Sequence, residues 1–197
     1  MKSLAVVSLK GGVGKTTLAI HFAFYIHERL KQSVVLLDGD PISSSIRWRR
    51  RGPGFPFKVV SLDDDPGEPE WLVLDTEAHP EPSDIELLAK QVDRLVLPVS
   101  NIESLETAIE IQSLLGETSR IAVVNMAPPF PQKDGQEMRI ALADAGVPVA
   151  STLIRRAKAY EVAKLEGTSS YHATSRLGRA VWFEFDAVAR EVMNYAS

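Results

Sequence analysis

The apolar run Leu4-Ala5-Val6-Val7-Ser8 leads directly into Lys10-Gly11-Gly12-Val13-Gly14-Lys15-Thr16-Thr17, and a helix-forming stretch follows. Few folds place a strand, a glycine-rich turn and a helix start in that order. Three glycines let backbone N–H groups converge into a nest for an anion, and the helix start adds its positive dipole end. From such a nest Lys15 can reach the β- and γ-phosphates of a nucleotide, and the Thr16 hydroxyl can take one position on Mg²⁺. The ordinary pattern, Gly-x-x-x-x-Gly-Lys-Ser/Thr, would put its first glycine at position 9, which is Leu9 here. The variant headed by Lys10 fits in full. Gly11, Gly12, Val13, Gly14, Lys15, Thr16 and Thr17 are therefore the predicted phosphate-binding residues.

The chain has 197 residues, 45% of them hydrophobic and 24% charged, enough for one stable globular domain covering residues 1–197. It has no cysteine, which excludes disulfides, thiolate metal sites and cysteine-ligated iron–sulfur clusters. Met1 leads straight into a strand, and no apolar run approaches the ~18 residues of a membrane span. The expectation is a cytoplasmic protein without a membrane partner. A net charge of −4 places any nucleic-acid contact on a local patch or on a patch assembled by dimerisation.

Short runs rich in valine, isoleucine and leucine recur at Leu4–Ser8, Ser33–Asp38, Lys58–Ser61, Trp71–Asp75, Arg94–Pro98 and Arg120–Asn125, with a seventh at Val149–Leu153. They are apolar on both faces, as buried parallel strands are. Helical patterns occupy Lys15–Lys31, Ser43–Arg51, Ser83–Gln91, Ile102–Leu115, Gly135–Ala145, Ala157–Glu166 and Arg176–Tyr195. The alternation predicts an α/β fold, a three-layer sandwich around a mostly parallel sheet, with ligand at the carboxyl ends of the strands. Leu62–Glu70, which contains Asp63-Asp64-Asp65, reads as a solvated loop in preference to a metal site. In the last helix Val181, Phe185, Val188, Val192 and Tyr195 form a core-facing stripe.

Three aspartates end two of these strands. In Val34-Val35-Leu36-Leu37-Asp38-Gly39-Asp40-Pro41, alternate side chains of an extended chain would bring Asp38 and Asp40 to the phosphate end together. Asp-Gly-Asp-Pro is also an ordinary turn sequence. Its distance of one helix and one strand from Lys15 favours the functional reading. Asp75 closes Trp71-Leu72-Val73-Leu74-Asp75, the strand-then-aspartate form that holds magnesium through water.

The loop Lys-Gly-Gly-Val-Gly-Lys-Thr-Thr resembles that of the ParA/MinD family of P-loop ATPases, in the SIMIBI class, over roughly Lys2 to Gly167. The resemblance implies binding and hydrolysis of ATP with Mg²⁺, and an ATP-bound homodimer in which Lys10 reaches the nucleotide of the other subunit. It assigns Asp40 to the attacking water, Asp38 and Asp75 with Thr16 to the magnesium shell, and Asn125 to the adenine edge. An asparagine after a strand also forms turns, so Asn125 has both readings. Two departures from the family pattern stand out: Glu77-Ala78-His79-Pro80 after Asp75, and Ile42 where relatives carry glutamine.

Two basic clusters interrupt the acidic background. Arg155, Arg156, Lys158 and Lys164 match the region where ParA proteins contact DNA, and Arg47-Trp48-Arg49-Arg50-Arg51 follows the Asp40 loop. Each is either a solvated helix end or a set of phosphate contacts, and the second has the further reading of a contact with a partner or the other subunit. The resemblance is strongest to small plasmid-type ParA proteins. It implies a nucleoid-associated ATPase that binds DNA non-specifically and partitions plasmid or chromosomal DNA with a ParB-like centromere-binding partner. Two alternatives share the loop: a ParA-like ATPase that positions a non-DNA cargo, and a metabolic enzyme of the dethiobiotin-synthetase type.

Overall fold

A computed structural model describes residues 1–77, 79–116 and 118–195. Six strands, β1 (Lys2–Val6), β2 (Val34–Asp38), β3 (Lys58–Ser61), β4 (Trp71–Asp75), β5 (Arg94–Val99) and β6 (Arg120–Val124), form one sheet in the order β3-β2-β4-β1-β5-β6. Every pairing is parallel. The helices are α1 (Lys15–Tyr25), α2 (Ser44–Arg49), α3 (Pro82–Ala89), α4 (Ile102–Leu114), α5 (Lys133–Asp144), α6 (Lys158–Glu166) and α7 (Gly178–Asn194). α1 continues as a π-helical turn, Ile26–Leu30, and stops at Lys31 in the left-handed region at φ 57°.

Strand alternation divides the core into two layers. Leu4 and Val6 of β1 join one cluster with α1, α2 and α7, whereas Ala5 and Val7 join another with α3, α4 and α5. This is the period of two expected when helices cover both faces of a sheet. The α7 stripe is buried at Val181, Phe185, Val188 and Val192, and the last three join the first layer, with Tyr195 packed against it.

The seventh predicted strand is not a strand. Val149 and Arg155 form isolated parallel bridges to Ala122 and Ala127. Between them the N–H groups of Ser151 and Thr152 turn to the Glu191 carboxylate of α7, at 2.6 and 3.1 Å, and so leave the ladder. The β3–β4 connection is a loop, as predicted. Its aspartates serve the turn itself, with Asp64 accepting from the Ser61 N–H and hydroxyl and Asp65 from the Gly67 N–H. No cluster able to hold a metal through three or more His, Cys, Asp or Glu residues occurs among the described residues, and no described helix is long and apolar enough to cross a membrane.

The P-loop helix is fixed to the C-terminal part of the chain by a buried histidine. His21 has no solvent exposure and lies among Trp48, Tyr160, Trp182 and Phe185. Its Nδ1–H donates to the Thr17 carbonyl at 2.7 Å, and its Nε2 accepts from the Ser170 N–H at 3.0 Å. Both nitrogens are satisfied only by the neutral ring, and burial pushes the pKa down to about 4. Between about pH 6.5 and 4 the unfolded chain binds a proton that the native one refuses. The contribution of His21 is complete above pH 6.5 and is lost as pH falls, at up to about 1.4 kcal/mol per pH unit. In urea melts across this window, His21→Gln is expected to show a shallower loss of stability on acidification than the wild type; an equal slope would place the titration elsewhere.

Candidate functional site

The site forms where the C-terminal ends of β1, β2 and β4 meet the start of α1. Register pairs Asp75 with Val6 on one side and with Asp38 on the other, so the loop leaving β1 passes beside two aspartates. Gly12 and Gly14 adopt φ 79° and 92°, the left-handed turns that the nest requires. A Cβ on Gly14 would come within 2.4 Å of Asn125 Nδ2, so space as well as conformation restricts this position to glycine. Val13 is buried and anchors the loop.

Lys15 folds back over its own loop. Its ammonium donates to the carbonyls of Lys10 at 3.2 Å and Ser8 at 3.5 Å, and its residue exposure is only 7%. Burial lowers its pKa, and the charges of Asp75, Asp40 and Glu77 act in the opposite direction. Lys10 differs in setting: its ammonium is exposed at the rim and forms an ion pair with Glu103 at the start of α4, which holds the Glu103 carboxyl below its ordinary range. The two lysines of the motif thus occupy a buried and an open position.

Asp75 is fully buried, and burial pushes its pKa up to about 7 even though hydroxyls of Ser45 and Thr16 bond to it. Ser45 Oγ donates to its Oδ2 at 2.8 Å. Its Oδ1 is buried without a hydrogen-bond partner among the described residues. An orphaned carboxylate oxygen beside the Thr16 hydroxyl is the donor set that a hydrated magnesium ion requires, so these residues fit the ion.

Asp38 and Asp40 do not sit as neighbours on one strand face. The chain turns after Gly39, and the Asp40 N–H donates to Asp38 Oδ1 at 3.2 Å. Asp38 Oδ2 accepts from the Ile46 N–H at 2.9 Å, so both oxygens of Asp38 hold the 39–46 loop closed. Asp38, to which the family resemblance gives a place in the magnesium shell, thus also braces this loop. Asp40 accepts from the Ile42 N–H at 3.1 Å and from Ser44 Oγ at 2.6 Å, which ties it to the first turn of α2. It remains close enough to Lys15 and Asp75 to influence the charge of both.

A cavity of about 210 Å³ opens beside Thr17, lined by Asn125, Met126, Arg155, Arg156 and Tyr160 among others. Asn125 Nδ2 donates to the Val13 carbonyl at 2.8 Å, so one amide N–H braces the loop, and the second N–H and Oδ1 carry the remaining recognition capacity. The predicted DNA set divides. Arg155 is half-buried and ion-paired with Glu184, whereas Arg156, Lys158 and Lys164 are exposed and form no ion pair among the described residues.

Residues 4–169 match the CobQ/CobB/MinD/ParA nucleotide binding domain family. The chain belongs to this family. It is 30% identical over 204 residues to the maintenance of carboxysome distribution protein A of Gloeobacter kilaueensis, covering 96% of this chain and 93% of that protein. The protein of the same name from Halothiobacillus neapolitanus is 26% identical over 214 residues, covering 97% and 96%. Apo McdA from Cyanothece superposes with a TM-score of 0.75 at 15% identity, covering 98% of this chain and all of that one. MinD of Aquifex aeolicus, in complex with MinC, gives a TM-score of 0.74 at 16% identity, covering 100% and 97%. The three-layer α/β reading of the sequence is thus the fold of this CobQ/CobB/MinD/ParA member.

Several site residues of this family member escape a motif reading. Ser45 is fully buried and bonds Asp75 across thirty positions of sequence, Thr76 Oγ1 donates to the Val6 carbonyl at 2.9 Å, and Glu77 acts on the charge of Lys15. Glu77 was open to detection, since it lies two positions after Asp75 in the stretch that departs from the family pattern; Ala78 of that stretch lies outside the described residues. Ser45 carries no such signal, because a serine in a short helix is ordinary until the fold brings it to a carboxylate.

Proposed function

We propose that this chain is an ATPase that pairs with a second copy on binding Mg-ATP, moves over non-specific DNA of the nucleoid while positioning a protein cargo, and is reset by hydrolysis. Residues 1–197 act as one nucleotide-binding unit in this reading. The observation that carries it is the division of the two lysines: Lys15 is buried above Asp75, while Lys10 stands at the open rim where another subunit could approach. ATP binding and assembly then share one loop.

Within one subunit Lys15 and the loop N–H groups hold the phosphates, and Asn125 with the adjoining cavity takes the base. Thr16 by its hydroxyl and Asp75 through water would hold magnesium, which supplies charge neutralisation on the β- and γ-phosphates when bound. Asp40 is the carboxylate placed to orient water, and Ser44 fixes its direction. Asp38 and Ser45 keep the loop that carries Asp40 against β4.

The choice of cargo rests on the relatives. Two proteins named for carboxysome distribution align over 96% and 97% of this chain, which supports a protein body as cargo ahead of a plasmid or chromosome with a ParB-like partner. The exposed Lys10 has no evident use in a metabolic enzyme of the dethiobiotin-synthetase type. Light scattering with Mg-ATP is expected to show the mass doubling for the wild type, and a monomer that still binds ATP for Lys10→Ala. In cells, deletion should scatter or cluster the protein cargo without loss of plasmids. A wild-type protein that stays monomeric with every nucleotide would overturn the reading.

A further inference from the structure

The two basic clusters that are about a hundred positions apart in sequence meet in space. α2 ends against the end of α6: the Arg51 guanidinium donates to the Lys164 carbonyl at 3.3 Å, and the Lys164 ammonium lies 5.9 Å from the centre of the Trp48 ring. The approach is close enough that a Cβ on Gly52 would fall 2.1 Å from the Glu166 carbonyl, and one on Gly167 2.2 Å from the Gly52 nitrogen. Neither position can carry a side chain without parting the two segments.

Helical backbone bonds continue through the Arg50 N–H to the Ile46 carbonyl, so Arg47, Arg50 and Arg51, spaced i, i+3 and i+4, share one face. Trp48 points the other way, is 1% exposed, and donates its indole N–H to the Thr168 carbonyl at 3.0 Å. Arg47, Arg50, Arg51 and Lys164 are all exposed, and none enters an ion pair among the described residues. In a chain of net charge −4 this is an uncompensated concentration of positive charge. A single helix end makes use of one or two cations through its dipole, and three arginines with a lysine exceed that need.

We propose that Arg47 of α2, Arg50 and Arg51 in the turn that ends it, and Lys164 of α6 form one surface for the phosphate backbone of duplex DNA. The inference rests on the DNA-travelling reading above and moves the contact away from Arg155, which Glu184 neutralises. Guanidinium forks suit phosphate oxygens, and a contact to backbone alone is indifferent to sequence. A bilayer is a poorer match, because the apolar side of α2 is turned inward through Trp48 and leaves no face to insert.

The surface is also attached to the nucleotide site. The same short helix that carries Arg47 and leads into Arg50 and Arg51 begins with Ser44 on Asp40, Ser45 on Asp75 and Ile46 on Asp38. A rearrangement of the Asp38–Asp40 loop around a γ-phosphate therefore moves the arginines relative to Lys164, which gives the DNA contact a direct dependence on the bound nucleotide.

The test compares wild type, an Arg47→Ala/Arg50→Ala/Arg51→Ala variant and a Lys58→Ala/Lys90→Ala/Lys133→Ala control that removes equal charge elsewhere. Each is titrated onto random-sequence duplex DNA with Mg-ATP over a salt series, and onto vesicles of anionic phospholipid. Each phosphate contact carries about 0.9 in the slope of log K against log salt, so three lost contacts lower the slope by about 2.7 and weaken binding at 0.1 M salt by at least about 100-fold. The control should match the wild type, and ATP-driven dimerisation of the arginine variant reports that it is folded. If the wild type binds DNA and the arginine variant retains its slope, the surface assignment fails alone. If the wild type binds DNA with no nucleotide, the DNA-travelling reading fails with it. Arginine-dependent binding to the vesicles but not to DNA would overturn duplex DNA as the partner.

Discussion

Lys15→Ala is expected to weaken Mg-ATP binding by at least about 100-fold, since a charge-assisted hydrogen bond to phosphate contributes roughly 1.5–3 kcal/mol and this ammonium serves more than one oxygen. The nucleotide-free variant should nevertheless fold. In the empty protein Lys15 is buried with a lowered pKa and spends its protons on the carbonyls of Ser8 and Lys10, so its removal relieves a desolvation cost while it deprives Asp75 of a nearby cation. These effects oppose one another. Thermal unfolding separates binding from folding: ligand at 100 times its Kd adds about 2.7 kcal/mol, which for a chain of this size raises Tm by about 5–10 °C. The wild type should show that shift with Mg-ATP, and at the same ligand concentration Lys15→Ala should shift by no more than about 1–2 °C. A full shift retained by the variant would mean that the phosphates are held by something other than this loop.

The phosphate loop was legible because its chemistry is local: the residues that turn the chain are those assigned to the phosphates, and they are consecutive. The strands were legible for a similar reason, since a parallel strand buried on both faces is a continuous apolar run. What sequence reading missed depends on pairings between distant segments. The Val149–Leu153 run has strand-like residues, yet Glu191 of α7 takes two of its N–H groups and breaks the ladder. Asp38 and Asp40 obey the alternation of an extended chain on paper, but the 39–46 loop folds back onto Asp38 and uses both its oxygens. Arg155 and Lys164 look equivalent as basic residues of one cluster. Only the fold shows that the first faces Glu184 and the second faces Arg51 and Trp48.

Asp40 gives the other large expected effect, on turnover. Asp40→Asn keeps the volume and an amide oxygen that can accept from the Ile42 N–H, and removes the negative charge. It should leave ATP affinity and dimer formation within a few-fold of wild type and lower kcat by about 100-fold or more, the usual scale for losing a positioned acid–base group. The geometry offers a competing account, in which Asp40 matters only because it secures α2 through Ser44. Ser44→Ala decides between them. It removes the 2.6 Å hydroxyl contact and leaves the carboxylate charge, so a bracing role for Asp40 would make Ser44→Ala nearly as slow as Asp40→Asn. If Asp40 orients water, Ser44→Ala costs only about 1 kcal/mol of positioning, a rate loss of about fivefold. Single-turnover hydrolysis of bound ATP by the two variants measures the difference directly, because neither binding nor product release enters the observed rate. Comparable rates for Asp40→Asn and wild type would move the water-positioning role to another carboxylate, and Glu77, whose charge already reaches Lys15, is the residue next placed to supply it.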